Sequence, residues 1–474
     1  MATIKFGTSG WRAILADEFT FSNVRIVTQG IAQYLRQEKI GQLGVIVGYD
    51  SRFLGELFAR TAAEVLAAHG IPAFLCDRET PTPTIAYHVV KHQLAGGINI
   101  SASHNPPEYN GVKFTPSWGG PALPETTRAI EQRIQPLLHG EHIKWLPWER
   151  AQADGLVRWY DPRPEYLTAL EGLIDCQRIR ERGLRIVMDP FYGTTRGYLD
   201  EFLRRYAGAK LAVLHHWRDP YFGGGRPDPS AQTLRELRET VRQEKAHLGV
   251  ATDGDGDRFG VVDADGTFIE PNVILALVLD YLVAHRKWKG GIARSVATTH
   301  LIDLVAAYHG LTVYETPVGF KYIGELLAKG AVILGGEESA GLSIQGHVPE
   351  KDGMLACALV TEMVAVTGKT IQELVMDLYH RVGRVWTRRE DLPITSRMRE
   401  LLDQKLEHPP SSLAGMEVVD VNRLDGCKLI LSDGSWFLLR PSGTEPIVRC
   451  YGEAKTAEQL ERIMRAGRTW LCET

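Results

Sequence analysis

The chain has 474 residues, of which 44% are hydrophobic and 24% charged, and its formal charge at pH 7 is −4. At roughly 150 residues per domain, this length predicts about three domains, with four possible, and the composition can fill several hydrophobic cores. Charges of both signs are interspersed without a basic tract, which argues against a nucleic-acid-binding protein.

The cysteines and the apolar segments indicate a cellular location. Six cysteines are present and none forms a C-x-x-C pair, so neither a zinc site nor a redox dithiol is indicated, and reduced, mostly buried thiols are expected. The N-terminus lacks the apolar core of a signal peptide. The apolar run from Val273 to Leu279 is far shorter than the roughly 20 residues that cross a bilayer. We therefore expect a cytoplasmic protein without membrane partners; the sequence does not predict its oligomeric state.

The first 150 residues alternate helical and strand patterns. An amphipathic helical pattern begins near Val24, and Ser22 is the expected N-cap of that helix. The apolar run from Gly44 to Asp50 is typical of a parallel strand buried on both faces. A second strand is expected from Gly96 to Ile100, and it leads directly to the Ser-Ala-Ser-His segment that begins at Ser101.

The same alternation recurs twice more, without a fixed-period sequence repeat. Strand runs are expected within Leu184 to Thr195 and His247 to Arg258 of a second unit, and within Ser295 to Thr299, Val313 to Phe320 and Ala331 to Ser339 of a third. Strands that alternate with helices predict α/β units with parallel sheets, and ligands bind such sheets at the carboxyl ends of the strands. The polar motifs of the chain all follow such strand ends.

The pattern changes after about Val385. Short strand runs between Val418 and Arg440 are separated by Asp-Gly pairs at Asp425 and Asp433, which are typical of antiparallel hairpins. A helical stretch from Ala457 to Ala466 follows. The end of the chain is therefore predicted to be a small α+β domain.

Three aspartates at alternate positions form the strongest local motif. Asp253, Asp255 and Asp257 can converge on a hard divalent cation, because the glycines between them allow a tight turn. An EF-hand is excluded, since Arg258 replaces its glycine at position six and Ala264 its glutamate at position twelve. A solvated acidic turn remains the alternative interpretation.

A candidate nucleophile lies in the segment from Ser101 to Phe114. Ser103 is followed by His104, and Lys113 is close in sequence; a serine needs such a base or cation to become a nucleophile. No G-x-S-x-G motif surrounds the serine, so a hydrolase triad is not supported. An ordinary polar loop is the alternative.

Three further segments offer groups that bind phosphates and hydroxyls. The loop from Arg440 to Pro446 combines an arginine with serine, threonine and backbone N–H groups, which can hold a phosphate, although a simple Ser-Gly turn is the alternative. Glu337 and Ser339 end an apolar strand and could contact sugar hydroxyls, and Lys321 follows a turn. The alternative is that Glu337, Ser339 and Lys321 are ordinary polar residues of the surface.

Together with the segment from Phe6 to Arg12, these motifs resemble the α-D-phosphohexomutase superfamily, in family order and over essentially the whole chain. The resemblance implies three topologically related α/β domains with mixed, mainly parallel sheets and a smaller C-terminal α+β domain around a central cleft. The expected boundaries are 1–158, 159–266, 267–385 and 386–474.

The resemblance also implies roles for individual residues. Ser103 would carry the phosphoryl group, and Asp253, Asp255 and Asp257 would bind Mg²⁺ with an oxygen of the phosphoserine. His104, Lys113 and Arg258 would act beside it, with Lys113 assisting proton transfer. The residues implied to bind substrate are Arg12, Lys321, Glu337, Ser339, Arg440, Ser442, Gly443 and Thr444.

The implied reaction interconverts hexose 1-phosphate and hexose 6-phosphate through a hexose 1,6-bisphosphate, which also serves as activator. The sequence from Gly336 to Ser339 resembles the sugar loop of phosphoglucomutases, whereas phosphoglucosamine mutases typically carry Glu-Gln-Ser there and Thr-Asp-Gly in place of residues 8–10. Glucose is therefore the expected sugar, with mannose as a second substrate. A phosphoglucosamine mutase, a Mg²⁺-dependent sugar phosphatase and a non-catalytic sugar-phosphate sensor remain alternatives.

Overall fold

The computed structural model describes residues 4–7, 10–442 and 447–472. Four sheets organise this part of the chain, with six, five, four and six strands in chain order. The first three are mixed sheets with helices packed on them, and the fourth is antiparallel throughout. The predicted fold class is confirmed.

The first domain is built on a sheet with the strand order β1-β5-β4-β2-β3-β6. Its strands are β1 (Trp11–Ile14), β2 (Val45–Tyr49), β3 (Ala73–Cys76), β4 (Gly96–Ile100), β5 (Tyr109–Pro116) and β6 (Val157–Tyr160). Its helices are α1 (Phe21–Gln37), α2 (Gly55–Ala68), α3 (Thr82–Lys91), α4 (Pro124–Leu138) and α5 (Trp148–Ala153). The neighbouring strands β2 and β4 are parallel, so the loops that follow them meet at one edge. Because β6 pairs with β3 through Tyr160, this sheet extends past the expected boundary at residue 158.

Helix α1 starts earlier than its sequence pattern predicts. Thr20 is the N-cap, and its hydroxyl accepts a hydrogen bond from the Asn23 N–H. Ser22 lies inside the first turn, so its prediction as the cap is wrong. The helix includes Phe21 because its ring stacks on Phe58 of α2, at 4.4 Å between ring centroids.

The second domain has the strand order β11-β10-β9-β7-β8. Its strands are β7 (Arg185–Asp189), β8 (Lys210–Val213), β9 (Leu248–Thr252), β10 (Phe259–Asp263) and β11 (Phe268–Ile269), and its helices are α6 (Arg163–Leu173), α7 (Cys176–Arg182), α8 (Leu199–Glu201) and α9 (Arg235–Gln243). Strands β9 and β10 form an antiparallel hairpin. The predicted metal loop is the connection of this hairpin.

The third domain has the strand order β13-β12-β14-β15. Its strands are β12 (Gly291–Ser295), β13 (Val313–Thr316), β14 (Val332–Glu337) and β15 (Gly341–Ile344), and its helices are α10 (Pro271–Ala284), α11 (Leu301–His309), α12 (Phe320–Ala328), α13 (Gly353–Thr367) and α14 (Ile371–Val382). The expected strand from Ser295 to Thr299 is wrong, because β12 ends at Ser295 and a turn follows. The Thr298 N–H donates to the Ser295 carbonyl, and the Thr299 hydroxyl donates to Glu453 of the last domain.

The second and third domains share one hydrophobic core. Helix α13 is buried along most of its length and packs against β9 and β10 as well as against α10 and β15. Val250 of β9 and Leu359 of α13 belong to the same buried cluster. The middle of the molecule is thus a single packed unit that carries both the metal loop and the strand end at Glu337.

The fourth domain has the antiparallel order β16-β21-β20-β19-β18-β17. Its strands are β16 (Trp386–Pro393), β17 (Ser412–Leu413), β18 (Met416–Asn422), β19 (Cys427–Leu431), β20 (Trp436–Pro441) and β21 (Ile447–Ala454), and its helices are α15 (Ser396–Glu407) and α16 (Ala457–Cys472). The Asp-Gly pairs at Asp425 and Asp433 connect β18 to β19 and β19 to β20, as predicted.

None of the described helices is long and apolar enough to span a bilayer by itself. The consecutive helices α13 and α14 reach that length and composition only together, and they are bent by 80° at the break between them.

Candidate active site

Ser103 lies in the loop that follows β4, with its backbone in the left-handed region at φ 52°. Non-glycine residues are uncommon in this conformation, which is often found at functional sites. Its N–H donates to the Ser101 hydroxyl at 2.9 Å, and that hydroxyl donates to Asp50 at 2.7 Å. Ser101 is therefore committed to holding the loop, whereas the Ser103 hydroxyl points to the metal loop.

Arg52 also holds this loop in position. Its side chain is fully buried, and its guanidinium donates to the carbonyls of Ser103 and Asn105 at 2.7 Å each, and to two further loop carbonyls. Its Nε lies 3.0 Å from the Asp50 carboxylate. Arg52 was not among the residues predicted for the site. The signal that could have revealed it is its position just after β2, the strand parallel to β4, because strand ends of one sheet lie side by side.

Asp253 connects the serine to the metal loop. One of its oxygens accepts from the N–H groups of Asp257 and Arg258, at 2.9 and 3.0 Å. The other accepts from the Ser103 hydroxyl at 2.6 Å. Burial raises the pKa of Asp253 well above its usual range, and the neighbouring Asp257 and Asp255 raise it further.

Asp255 and Asp257 are buried and face a lysine. Lys113 Nζ lies 2.5 Å from Asp255 Oδ2 and 3.0 Å from Asp257 Oδ2. Burial raises the pKa of both carboxyls, but both pKa values are lowered overall: Lys113 and the Thr82 hydroxyl together outweigh burial at Asp255, and Lys113, Lys351 and Arg258 together outweigh it at Asp257. The Oδ1 atoms of both aspartates are buried without a hydrogen-bond partner, and ligand atoms of Asp253, Asp255 and Asp257 lie within 4.8 Å of one another. Such a set of oxygens suits a hard divalent cation such as Mg²⁺.

Two lysines compensate the charge of the triad. Burial lowers the pKa of Lys113, but Asp255 and Asp257 outweigh it and the pKa is raised, so the ammonium keeps its proton. Lys351 Nζ donates to Asp257 Oδ2 at 2.9 Å from the loop before α13. Lys351 was missed, although the charged run Glu350-Lys351-Asp352 before an apolar helix is visible in the sequence.

His104 and Arg258, predicted to be catalytic, lie near Arg12, predicted to bind substrate. Burial lowers the pKa of His104 well below its usual value, with Arg258 and Arg12 lowering it further, so the ring is neutral. Its Nδ1 lies 3.4 Å from the Ser103 hydroxyl. Arg12 donates to the Asn105 side chain at 2.6 Å, and Arg258 lies 3.5 Å from Asp228.

Glu337 ends β14 and forms a second polar group. Its Oε1 accepts from the Gly319 N–H at 2.7 Å, which connects it to the turn before α12, the helix that carries Lys321. Burial raises the pKa of Glu337 to about 7, with a further contribution from Glu338. Ser339 is half-buried two residues later. Burial also lowers the pKa of Lys321.

The fourth domain approaches this second group through Asp425. Its carboxylate accepts from Arg440 Nε at 2.9 Å and from the Val318 N–H at 3.0 Å. The structure therefore brings Arg440 to the turn before α12. The Ser442 N–H donates to the Ile447 carbonyl at 2.9 Å, and Gly443 and Thr444 lie outside the described residues.

Four family models of phosphoglucomutase/phosphomannomutase match the chain. They describe α/β/α domains I, II and III and the C-terminal domain, and they match residues 3–138, 164–266, 270–382 and 401–467. The chain belongs to the phosphoglucomutase/phosphomannomutase family. It is therefore a mutase, an enzyme that transfers a phosphoryl group within a sugar phosphate, and the predicted family and enzyme class are confirmed.

Three similar proteins illustrate the relationships within this family. A phosphoglucomutase/phosphomannomutase of Thermococcus kodakarensis is 30% identical over 98% of this chain and 97% of its own length. A relative in Pyrococcus abyssi, provisionally named phosphoglucosamine mutase, is 31% identical over 97% of this chain and 96% of its own. A crystal structure from Thermus thermophilus, provisionally named phosphomannomutase, is 32% identical with a TM-score of 0.85 and covers 99% of both chains. These names differ in the sugar, so membership of the phosphoglucomutase/phosphomannomutase family leaves the substrate open.

Proposed function

We propose that this mutase interconverts hexose 1-phosphate and hexose 6-phosphate through phospho-Ser103, with glucose as its preferred hexose and mannose as a second substrate. The observation that carries the proposal is the position of the Ser103 hydroxyl, 2.6 Å from Asp253 and beside the unpartnered buried oxygens of Asp255 and Asp257. A phosphoryl group on Ser103 would meet these oxygens, and like charges require a cation between them.

The triad would hold Mg²⁺ together with one oxygen of the phosphoserine, in keeping with the Mg²⁺ dependence of the family. The ion would neutralise charge on the transferring phosphoryl group. The protein supplies further positive charge from Arg258, Lys113 and Lys351. Lys113, which was expected to assist proton transfer, keeps its proton and could act only as a donor. His104 lies next to Ser103, but its lowered pKa makes it a weak base.

In the proposed cycle, a hydroxyl of the hexose monophosphate attacks the phosphorus of phospho-Ser103 and the serine oxygen leaves. The resulting 1,6-bisphosphate turns over in the cleft, and Ser103 accepts its other phosphoryl group. Free bisphosphate would act as activator, because it can rephosphorylate a bare Ser103. One serine serves both ends only if the sugar is held equally well in two orientations.

Glu337 has the chemistry for that task. A carboxylate accepts hydrogen bonds from two adjacent hydroxyls, and O3 and O4 of glucose roughly exchange places when the ring turns over. Arg440 would bind the phosphate that does not react, since its guanidinium can hold phosphate oxygens in pairs. Its contact with Asp425 keeps it next to the turn that Glu337 also contacts.

Phosphoglucosamine mutase activity is the second candidate. It is favoured by the name of the Pyrococcus abyssi relative and opposed by the Glu337-Glu338-Ser339 sequence of the sugar loop. A sugar phosphatase on this fold would have no use for a second phosphate-binding group at Arg440. A sensor would have no use for a serine aimed at a metal triad.

The test is a ³¹P NMR assay of glucose, mannose and glucosamine 1-phosphates, each started with a trace of its 1,6-bisphosphate. The proposal expects glucose 6-phosphate to form fastest, and Ser103→Ala to lower turnover by several orders of magnitude. Intact-mass measurement should find one phosphoryl group on the wild type and none on Ser103→Ala. Ser101→Ala is the matched control and should retain the phosphoryl group, since Ser101 only supports the loop. Release of inorganic phosphate as the main product would refute the proposal.

The proposal also includes a cytoplasmic location. All six cysteines are free, and five of them are buried. Free thiols in this number are typical of a reducing compartment.

A further inference from the structure

A second cluster of metal-ligating side chains lies between the first and second domains. His88 is on α3, His92 follows the last residue of that helix, and Glu165 is on α6. The ligand atoms of these three side chains lie within 4.8 Å of one another. His92 Nε2 is 2.9 Å from Glu165 Oε2, and the Tyr160 hydroxyl at the end of β6 is 3.0 Å from His88 Nδ1 and 3.2 Å from His92 Nε2.

The buried histidine is held in the tautomer that a metal ion requires. His88 Nε2 lies 2.7 Å from the Pro162 carbonyl, an atom that can only accept, so Nε2 carries the hydrogen and Nδ1 presents its lone pair to the cluster. A backbone carbonyl in this position is a common partner of metal-ligating histidines. Burial lowers the pKa of His88 to about 4, so the ring stays neutral near pH 7.

The ligand atoms of both histidines and of Glu165 converge on the Tyr160 hydroxyl. The two imidazole rings are almost parallel, at 4° and 5.4 Å between centroids, and both direct a nitrogen to the Tyr160 hydroxyl. Glu165 Oε1 lies 3.3 Å from the same oxygen. His92 Nε2 donates to Glu165 Oε2, because a carboxylate can only accept. The single phenol hydrogen can then serve either His88 Nδ1 or Glu165 Oε1, so one of these two acceptors has no hydrogen from the cluster.

We propose that His88, His92 and Glu165 form a second metal site, selective for Zn²⁺ or a similar transition-metal ion. Two imidazoles and one carboxylate are a ligand set of zinc, whereas Mg²⁺ prefers oxygen ligands alone. At zinc–ligand distances of about 2.0 to 2.2 Å, neighbouring ligands of a tetrahedral site are about 3.3 to 3.6 Å apart. His92 Nε2 and Glu165 Oε2, which are hydrogen-bonded at 2.9 Å, would lose the proton between them and separate slightly on binding the ion.

The site would join two domains at a point connected to the catalytic centre. Helix α3 packs against α6, with the rings of Tyr87 and Tyr166 in contact at 5.9 Å. The other end of α3 carries Thr82, whose N–H and hydroxyl both donate to Asp255 of the metal triad. An ion at the carboxyl-terminal end of α3 also interacts favourably with the helix dipole.

The experiment titrates the Mg²⁺-saturated enzyme with Co²⁺, which reports its ligands by visible absorption. Nitrogen-containing tetrahedral sites absorb strongly, whereas six-coordinate oxygen sites absorb weakly, so the two centres are distinguishable. We expect an intense band that Zn²⁺ abolishes, and at least a tenfold loss of affinity for this band in His92→Ala and in Glu165→Gln. Both side chains are about two-fifths exposed, at 40% and 45%, so neither substitution should unfold the protein.

Three control variants distinguish the possible results. His139→Ala removes an exposed histidine outside the cluster and should leave the band unchanged. Tyr160→Phe should weaken binding less than tenfold, because a neutral phenol is not the proposed ligand. Asp255→Asn should abolish the catalytic Mg²⁺ site yet preserve the band, which separates failure of this proposal from failure of the proposed function. An intense band that survives in His92→Ala, or its absence in the wild type, would overturn the proposal.

Discussion

Replacing Arg52 by lysine tests how far the position of Ser103 depends on one buried side chain. All five N–H groups of the guanidinium are used: Nε bonds to Asp50, and the two terminal nitrogens bond to four carbonyls of the loop, including those of Ser103 and Asn105. Lysine keeps the charge but has three N–H groups. At least two of these five acceptors, all of which are buried or partly buried, would therefore lose their partners.

The expected loss of stability follows from the number of acceptors that lose a hydrogen bond. A buried polar group left without a hydrogen bond costs about 1 to 3 kcal/mol, so Arg52→Lys should lower the free energy of unfolding by about 2 to 6 kcal/mol. The carbonyl of Ser103 is among the acceptors, so the loop should also move. A displacement of about 1 Å at a reacting group can cost about 100-fold in rate, and we expect a loss of that order in kcat with little change in KM.

Urea unfolding gives the stability, and the mutase assay with intact-mass analysis gives kcat, KM and the phosphoryl content of Ser103. Arg60→Lys is the matched control. Arg60 is partly exposed, and its guanidinium lies 3.3 Å from Glu149, so its replacement should change stability by less than about 0.5 kcal/mol and leave kcat unchanged. If Arg52→Lys behaved like Arg60→Lys, the positioning role of Arg52 would have to be abandoned.

Three more predictions concern the triad, the sugar loop and the domain junction. Mg²⁺ at 100 times its Kd should raise the wild-type unfolding free energy by about 2.7 kcal/mol, and Asp255→Asn should lose most of this gain in urea melts with and without chelator. The pKa of Glu337 is raised from 4.5 to about 7 by folding, so the folded protein binds the extra proton and stability falls as pH rises through this window. Glu337→Gln should make the unfolding free energy depend less steeply on pH. The pKa of Glu350 is also raised to about 7, so the contribution of Glu350 to this pH dependence should remain in the variant. Lys428→Met removes the buried ammonium that contacts Val296 and Glu315, and limited proteolysis should then cleave the link before β16 faster than in wild type.

Strand ends and turns are the features that the sequence predicts best. The run before Asp50 and the run before Ser101 fold as β2 and β4 with nearly the expected bounds, because continuous apolar stretches have few alternatives to a buried strand. The hairpin turns at Asp425 and Asp433 are equally local, since the turn residues themselves set the backbone conformation. The three aspartates of the metal loop could also be recognised because they lie within one short segment.

Contacts between distant segments could not be predicted in this way. Arg52 reaches the Ser103 loop across the sheet of the first domain, and Lys351 reaches Asp257 across the junction of the second and third domains. Their positions beside a strand end and before an apolar helix mark them only as candidates, because the sequence does not show what they contact. The uniformly apolar α13 shows no helical periodicity, because it is buried on all sides between two domains. The neutral His104 and the raised pKa of Glu337 likewise depend on burial, which a single sequence does not specify.

The metal loop is held in place by backbone contacts from three domains. The Thr82 N–H of the first domain donates to the Asp255 carbonyl, and the Thr194 N–H of the second donates to the Gly254 carbonyl. The Gly353 N–H at the start of α13 donates to the Gly256 carbonyl, and a Cβ at Gly353 would lie 2.2 Å from the Arg258 carbonyl oxygen. Backbone from three domains therefore fixes one short loop. Movement of the first domain away from the second would break the Thr82 contacts to Asp255 and the Ser103 contact to Asp253, so we expect it to weaken binding of the cation.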